Sequence, residues 1–252
     1  MSTKVVSLSG GGLSAGEGGV LYRGNMGSPG QNSTYLVRVK EGDPLGQLWG
    51  PVQESVNADG TLKFADLNGD GKFCDCDDDR KVIGNGLPDA IVGWTNTVTM
   101  GNWDMNVLFR GSFGHQLANS YRGFYENTEP TTVINYNVVN TKYYNPAIKK
   151  AAWNNTHVEK ADYFKLDNMS IGYNFPMAGK TISRLRLFAA GQNLFIITNY
   201  TGVDPEVRYV DTQDTPTTQF GGSQPDPLAP GIERRSTYYT TRTYTIGINM
   251  SF

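Results

Sequence analysis

An acidic, glycine-rich stretch at residues 66–79 has the residue spacing best suited to binding chemistry in this chain. Its side-chain oxygens recur at the first, third and fifth positions, with glycine at the sixth to permit a sharp turn. A main-chain carbonyl follows at the seventh position and a carboxylate at the twelfth. This arrangement is typical of a Ca²⁺-binding loop. The predicted metal ligands are Asp66, Asn68, Asp70, Lys72 (through its carbonyl) and Asp77.

The same loop also has a plainer interpretation, as a solvated turn that binds no ion. No helix flanks it, as one would in an EF-hand, and an aspartate at the twelfth position reaches less far than the usual glutamate. However, six aspartates lie within these fourteen residues and repel one another without a cation. We therefore predict a structural Ca²⁺ that stiffens the loop.

The cysteines and histidines are too few and too scattered to predict a catalytic or zinc site. Cys74 and Cys76 are separated by one residue, a spacing at which a disulfide is strained. We expect free or loosely paired thiols in a surface loop. His115 and His157 have no serine or cysteine nucleophile at a recognisable turn near them in sequence. The chain is therefore not expected to be an enzyme.

The segment 114–161 is rich in aromatic residues and asparagine. Flat rings with amide side chains suit sugar binding, but they equally suit a loop that packs on itself. The residues concerned are Tyr121, Phe124, Tyr125, Tyr136, Tyr143, Tyr144 and Trp153.

Strands with a period of two provide the frame for these loops. Five clear strands are predicted at residues 91–100, 103–114, 163–175, 184–198 and 238–252, and a weaker one at 34–50. Gly101 and Asn102 join the first two as a tight hairpin. The sequence therefore predicts an all-β fold of antiparallel strands.

The last nine residues show the alternation most clearly. Large apolar side chains occupy every second position, and small or polar ones lie between them; the apolar set is Tyr244, Ile246, Ile248, Met250 and Phe252. Such a strand spans roughly 26 Å and rises roughly 20 Å when tilted by about 40°, close to the apolar height of outer-membrane barrels. A strand of this kind ending on phenylalanine is typical of those barrels, and we interpret the five residues as a carboxy-terminal assembly signal.

The lengths of the connections support the barrel interpretation. If Phe252 lies on the periplasmic side, the short turns at 101–102 and 176–183 also lie there. The long connections, at about 55–90, 114–161 and 199–237, then all lie outside the cell. Short periplasmic turns and long extracellular loops are the rule in bacterial barrels.

Composition excludes some classes and predicts that the chain is incomplete. There is no run of 18 apolar residues to form a transmembrane helix, and a net charge of −2 gives no nucleic-acid footprint. The amino-terminal residues 1–33 form no signal peptide and resemble a poorly defined upstream strand region. Because six strands cannot close a transporter-sized barrel, we expect residues 34–252 to be the last barrel strands of a longer protein, an open curved sheet in isolation.

Several strings of this chain resemble the carboxy-terminal portion of the SusC/RagA family of TonB-linked outer-membrane proteins. The resemblance covers residues from about 35 to 252 and is poor in 1–33. The matching strings are VKEGDPLGQLWG, DLNGDGKF with DDRKVIGNGLPD, IVGWTNTVTMGNWDMNVLFRGSFG, YFKLDNMSIGYNFP, RLRLFAAGQNLFIITNYTGVDPEV and TYTIGINMSF. A family motif at the outer end of one strand maps onto Asn193, Tyr200, Gly202, Asp204, Pro205 and Glu206. We interpret this motif as a proline-fixed turn that organises a loop.

The resemblance implies active import of a glycan or peptide through the outer membrane. It implies a SusD-like surface lipoprotein over the barrel, contact with TonB through upstream segments, insertion by the barrel assembly machinery and residence in the lipid bilayer, with no nucleic-acid partner. The acidic loop departs from the family's usual form by its two cysteines and by extra aspartates before Arg80. This departure leaves open which carboxylate closes a metal shell. Two alternatives remain, a passive porin and a soluble Ca²⁺-dependent binding module.

Overall fold

A computed structural model of the chain describes residues 3–8, 19–28, 31, 33–126, 139–177, 181–211 and 225–252. Fourteen strands and one short α-helix lie within these ranges. The strands are β1 (Val20–Asn25), β2 (Tyr35–Lys40), β3 (Gln47–Gly50), β4 (Gln53–Val56), β5 (Leu62–Phe64), β6 (Lys81–Asn85), β7 (Ala90–Met100), β8 (Trp103–Phe113), β9 (Gln116–Asn119), β10 (Val158–Lys160), β11 (Tyr163–Phe175), β12 (Arg184–Thr198), β13 (Ile232–Glu233) and β14 (Thr243–Ser251); the helix is α1 (Ser120–Tyr125). No helix in the described ranges is long and apolar enough to span a membrane.

The main sheet is antiparallel, open and five strands wide, in the order β14-β12-β11-β8-β7. Its register places side chains of like character side by side. Ile248 pairs with Leu187, Leu187 with Tyr173, Tyr173 with Trp103 and Trp103 with Met100. The predicted all-β, antiparallel fold with an open curved sheet is confirmed.

Two strands of this sheet have the bounds that their alternation predicts, whereas the last strand is shorter than expected. β14 begins at Thr243 instead of residue 238, and Thr243 pairs with Gln192 of β12. Directly after Gln192, Asn193 adopts a φ of 51° and β12 shifts its register against β11. Asparagine tolerates this left-handed conformation better than most residues do. Asn193 therefore interrupts the edge of β12 along which β14 could continue to pair.

The long connections contain three further small sheets. β1, β2, β3 and β6 form one, β4 and β5 form a second, and β10, β9 and β13 form a third in which β13 runs parallel to β9. The weak strand predicted at 34–50 is in fact two strands, because the chain turns at residues 41–46, where Gly42 and Gly46 have positive φ. Part of the upstream region 1–33 also forms a strand, β1, which pairs with β2.

The buried core lies beneath these loop sheets and not within the main sheet. Leu36, Val37, Val39 and Leu48 are fully buried and pack with residues from distant parts of the chain, such as Ile232. Trp153 is also buried and donates a hydrogen bond to the Trp49 carbonyl at 2.8 Å. The described parts of the long connections therefore form a packed layer at one end of the main sheet's strands.

Candidate functional site

The main sheet has one apolar face that no other part of the described chain covers. Ile248 is 61 % exposed, Met100 73 % and Trp103 49 %. A second row beside theirs runs Ile246, Ala189, Ile171, Met105, Val98 across all five strands. The five residues of the predicted assembly signal, Tyr244, Ile246, Ile248, Met250 and Phe252, all belong to β14 or its end and all are more than half exposed.

Aromatic rings mark both ends of this apolar face. At one end, Phe109 stacks between Trp94 and Phe164 with centroid distances of 5.4 Å to each. At the other end, Trp103 contacts Tyr173 at 4.8 Å. Trp103 and Phe109 are six positions apart on β8, which is roughly 20 Å along a strand. Two bands of rings about an apolar zone are the pattern of membrane barrels, where the rings lie at the two interfaces.

The opposite face of the same sheet is polar. Arg186 forms a double ion pair with Asp104 (Nε to Oδ1 3.0 Å, Nη2 to Oδ2 2.5 Å), and Asn174 donates to the same carboxylate at 2.9 Å. Arg186 lies directly over Gly172, where a Cβ atom would approach its guanidinium to 2.3 Å. Glycine at this position therefore allows the arginine to cross β11 and reach Asp104.

The family-motif residues 200–206 form a turn after β12, here called the motif turn. It is organised by Glu233, which the sequence analysis did not predict. Glu233 is fully buried and accepts hydrogen bonds from the Tyr200 hydroxyl (2.7 Å) and from the amides of Val203 (3.1 Å) and Asp204 (2.8 Å). Gly202 leaves the room for this arrangement, since a Cβ there would lie 2.1 Å from the carboxylate. Burial raises the pKa of Glu233, and burial beside this acid raises the pKa of Tyr200 well above its ordinary value.

The rest of the motif fastens the turn to the main sheet. Glu206 forms ion pairs with Arg110 (3.0 Å) and with Lys165, which is itself buried. Arg110 and Lys165 also contact Asp167, the residue at which β11 bulges. The motif side chains are thus used in contacts within the chain, and their role in organising a loop stays a prediction.

Two further motif residues, Pro205 and Asn193, form hydrogen bonds within the chain. The Pro205 carbonyl accepts a hydrogen bond from His115 Nε2 at 3.0 Å, which leaves Nδ1 to accept from Ser112 at 3.4 Å. Burial lowers the pKa of His115, so this histidine is neutral near pH 7. Asn193 donates to the Thr241 carbonyl at 3.3 Å, which links the bulge in β12 to the segment before β14.

Sequence reasoning missed Glu233, Arg110 and Lys165 because their partners are remote in the chain. The Tyr200–Glu233 contact spans 33 residues, and the Arg110–Glu206 contact spans 96. A charged residue next to the apolar Ile232 was the one local signal, and it does not identify a partner.

The acidic loop has its oxygens turned inward, but not all as predicted. Asp66 accepts from the amides of Gly69 and Gly71 at 2.7 Å each, while Asn68 and Asp70 accept from the amides of Asp70 and Lys72 at 2.9 and 2.8 Å. Asp77 bonds instead to the Tyr22 hydroxyl and the Trp49 indole. Calcium binding by these residues stays a prediction.

Asp79, two residues after Asp77, is the buried carboxylate of this loop. Its carboxylate accepts from the amides of Cys74 (2.7 Å) and Leu67 (2.8 Å), and these donors lower its pKa. Within the described ranges, one group of three His, Cys, Asp or Glu side chains gathers its ligand atoms within 4.8 Å: Cys74, Cys76 and Asp78. Asp66, Asp70 and Asp77 therefore do not converge as closely.

The two cysteines form a disulfide, so the expectation of free or loosely paired thiols is wrong. The turn held by Asp79 brings their Cα atoms to 5.2 Å, inside the range that a disulfide spans. Because the two thiols are bonded to each other, they are not offered to a metal.

Comparison with known proteins shows that this chain is similar to TonB-dependent receptors. TonB-dependent receptor P3 of Formosa agariphila is 30 % identical over 88 % of this chain. TonB-dependent receptor P39 of the same organism is 29 % identical over 77 %, and TonB-dependent receptor SusC of Bacteroides thetaiotaomicron is 25 % identical over 58 %. The chain spans 23 %, 19 % and 15 % of the lengths of these relatives. No protein-family model matches the sequence.

Solved structures share the fold. The RagAB peptide transporter matches 93 % of this chain with a TM-score of 0.64 and 16 % identity, and this chain covers 25 % of it. The RagAB peptide importer in its "open-open" state matches 87 % with a TM-score of 0.59. The chain is therefore related to TonB-dependent receptors of the SusC/RagA type and has the fold of a part of such a protein's β-barrel.

Proposed function

We propose that this chain is part of an outer-membrane protein that imports glycans or peptides with energy supplied through TonB. The observation that carries the proposal is the two-faced main sheet. An exposed apolar face bounded by aromatic rings suits contact with lipid, and the opposite face, with its Asp104–Arg186 pair, suits a wet lumen. The names of the relatives support the same role.

We further propose the partners that such an importer needs. A SusD-like lipoprotein covers the outer mouth, TonB engages segments outside this chain, and the barrel assembly machinery inserts the protein into the bilayer. The similarity to SusC and to the RagAB peptide transporter supports the lipoprotein partner. The packed layer of loop sheets at one end of the main sheet is the part of this chain that faces such a lid.

A non-enzymatic role agrees with the contacts of the two histidines. His115 is hydrogen-bonded to Pro205 and Ser112, and burial of His157 lowers its pKa to about 3. A neutral histidine that stacks on Trp153 with a centroid distance of 5.9 Å is a packing residue.

We propose that the acidic loop binds Ca²⁺ only to stiffen an outer loop.

Energy dependence separates this proposal from a passive porin. Cells that carry the complete protein would be given labelled oligosaccharides and, separately, labelled peptides. We expect accumulation of at least one class to stop when TonB is deleted or the proton gradient is dissipated. Entry of a small solute through other porins serves as the control and should persist. Accumulation that survives both treatments would identify a passive channel instead.

The soluble binding module predicts a different surface. In such a module, protein would cover the Met100 and Ile248 side chains, yet in this chain they are 73 % and 61 % exposed. The module also predicts a protein that stays in water without detergent. A purified protein that is monodisperse without detergent would favour the module over the importer.

A further inference from the structure

Three side chains with atoms that can bind a metal lie together on the acidic loop. The sulfurs of Cys74 and Cys76 and a carboxylate oxygen of Asp78 lie within 4.8 Å of one another. Cys76 and Asp78 are exposed to solvent, and Cys74 is half-buried. The ligand atoms of a tetrahedral Zn²⁺ ion, each bound at about 2.0–2.3 Å, lie roughly 3.5 Å apart. The three side chains are therefore close enough to share one ion once the two sulfurs are no longer bonded to each other.

Contacts other than the disulfide hold this part of the loop in shape. The Asp77 carboxylate accepts hydrogen bonds from the Tyr22 hydroxyl and from the Trp49 indole (3.3 Å). The Asp79 carboxylate accepts from the Cys74 amide at 2.7 Å. The backbone on both sides of the two cysteines is thus attached to the rest of the chain. We expect the three candidate ligands to stay near one another when the disulfide is reduced.

Asp78 is the carboxylate of this stretch that is available to a metal. Asp75 pairs with Arg80 at 2.6 Å, and Asp77 and Asp79 accept the hydrogen bonds described above. Among the described residues, no donor or cation contacts the Asp78 carboxylate. An ion bound here would therefore displace no contact that holds the loop.

We propose that reduction of the Cys74–Cys76 disulfide turns this part of the loop into a Zn²⁺ site, with Cys74, Cys76 and Asp78 as ligands. Two molecules of a small thiol supply the two electrons and two protons. The S–S bond breaks, two thiols form, and the reductant leaves as its own disulfide. Zn²⁺ then binds both sulfurs as thiolates and releases two protons to water. Three protein ligands leave the fourth tetrahedral position for a water molecule.

The choice of metal follows from the ligands. Two thiolates favour Zn²⁺ over Ca²⁺, which prefers oxygen ligands alone. The five predicted Ca²⁺ ligands of the loop, Asp66, Asn68, Asp70, Lys72 and Asp77, are not among the three. The loop is therefore linked across positions 74 and 76 covalently in an oxidising medium and through a metal in a reducing one. This inference goes beyond import, and neither depends on the other.

Metal binding to the complete protein in detergent tests the inference. The protein is reduced with a phosphine, which is then removed without oxygen, and a thiol assay verifies the reduction. We expect the reduced protein to bind one more Zn²⁺ than the oxidised protein, as measured by competition with a coloured chelator. Co²⁺ in place of Zn²⁺ should give the near-ultraviolet absorption of a thiolate–cobalt bond. Asp78→Asn should weaken Zn²⁺ binding by at least about tenfold, because removing even an outer partner of a metal ligand has that effect.

Two substitutions in the same loop are matched controls. Asp75→Asn removes a carboxylate that is paired with Arg80, and Asp66→Asn removes a predicted Ca²⁺ ligand. Both variants should bind Zn²⁺ like the reduced parent. Alkylation of the two thiols in the reduced parent should abolish the extra Zn²⁺ without any substitution that could alter folding.

Three results would each overturn the inference. The first is equal Zn²⁺ binding by the oxidised and the reduced protein. The second is unchanged binding after Cys74 and Cys76 are both replaced by serine, or after alkylation. The third is unchanged affinity in Asp78→Asn, which would remove the carboxylate from the site. Energised uptake by the oxidised protein leaves the proposed function standing in all three cases.

Discussion

At the scale of single residues, two loops of this protein are held by buried acids that accept hydrogen bonds from backbone amides. Glu233 binds the motif turn through two amides and the Tyr200 hydroxyl, and Asp79 binds the acidic loop through the amides of Cys74 and Leu67. A carboxylate that accepts several amides can hold a loop whose own backbone has no strand partner. Both acids therefore determine the shape of loops that no local pattern predicts.

The aspartates of the acidic loop are predicted to bind one Ca²⁺ ion. Titration of the complete protein with Ca²⁺ should show a site that is lost in Asp66→Asn and in Asp70→Asn, because both side chains are predicted ligands of one ion. Asp75→Asn is the control from the same loop, since the Asp75 carboxylate is paired with Arg80 and its side chain is 73 % exposed. Equal Ca²⁺ binding in all three variants, or none in the parent, would show that the loop is a solvated turn.

At the scale of elements, the strand alternation makes a directional prediction for β14. Ile248→Arg should lower the free energy of unfolding in lipid vesicles by about 2–4 kcal/mol, because it places a charge near the bilayer midplane. Asn249→Arg, one residue further on the polar face, should change it little. Urea titration of the complete protein in vesicles measures both. Equal losses for the two variants would mean that the two faces are not in lipid and water.

The long strands could be predicted from the sequence because their cause is local. β11 and β12 have the bounds that alternation predicts, 163–175 and 184–198. The position of β14 also follows from alternation, but its start does not, because Asn193 on the neighbouring strand ends the pairing edge. A strand start set by another strand's bulge has no signal in its own residues.

The short loop strands could not be predicted, since remote pairing creates them. β13 has two residues and exists by lying parallel to β9, which is more than 100 positions earlier in the chain. The motif turn was located by its resemblance to a family, yet its organiser, Glu233, lies 33 residues from Tyr200. The disulfide was missed for a similar reason, because the fold of the loop around Asp79 and not the spacing of the cysteines decides it.

At the scale of the whole molecule, a packed layer of loop sheets stands on an open sheet with two different faces. The strands β7 and β14 are the edges of this sheet, and the chain spans about a quarter or less of the relatives that share its fold. The loop layer has its own buried core, and the main sheet buries little on its apolar side. Such a division suits a protein whose sheet is stabilised by lipid and whose loops meet water.

The central claim is that the apolar face of the main sheet contacts hydrocarbon and the opposite face contacts water. A single cysteine at Ile248 or at Asn249, with Cys74 and Cys76 both replaced by serine, can carry a fluorophore in the complete protein reconstituted into vesicles. Quenching by brominated lipid should be strong at position 248 and weak at 249, and quenching by aqueous iodide should show the reverse. Equal quenching at the two positions, by either quencher, would contradict the account.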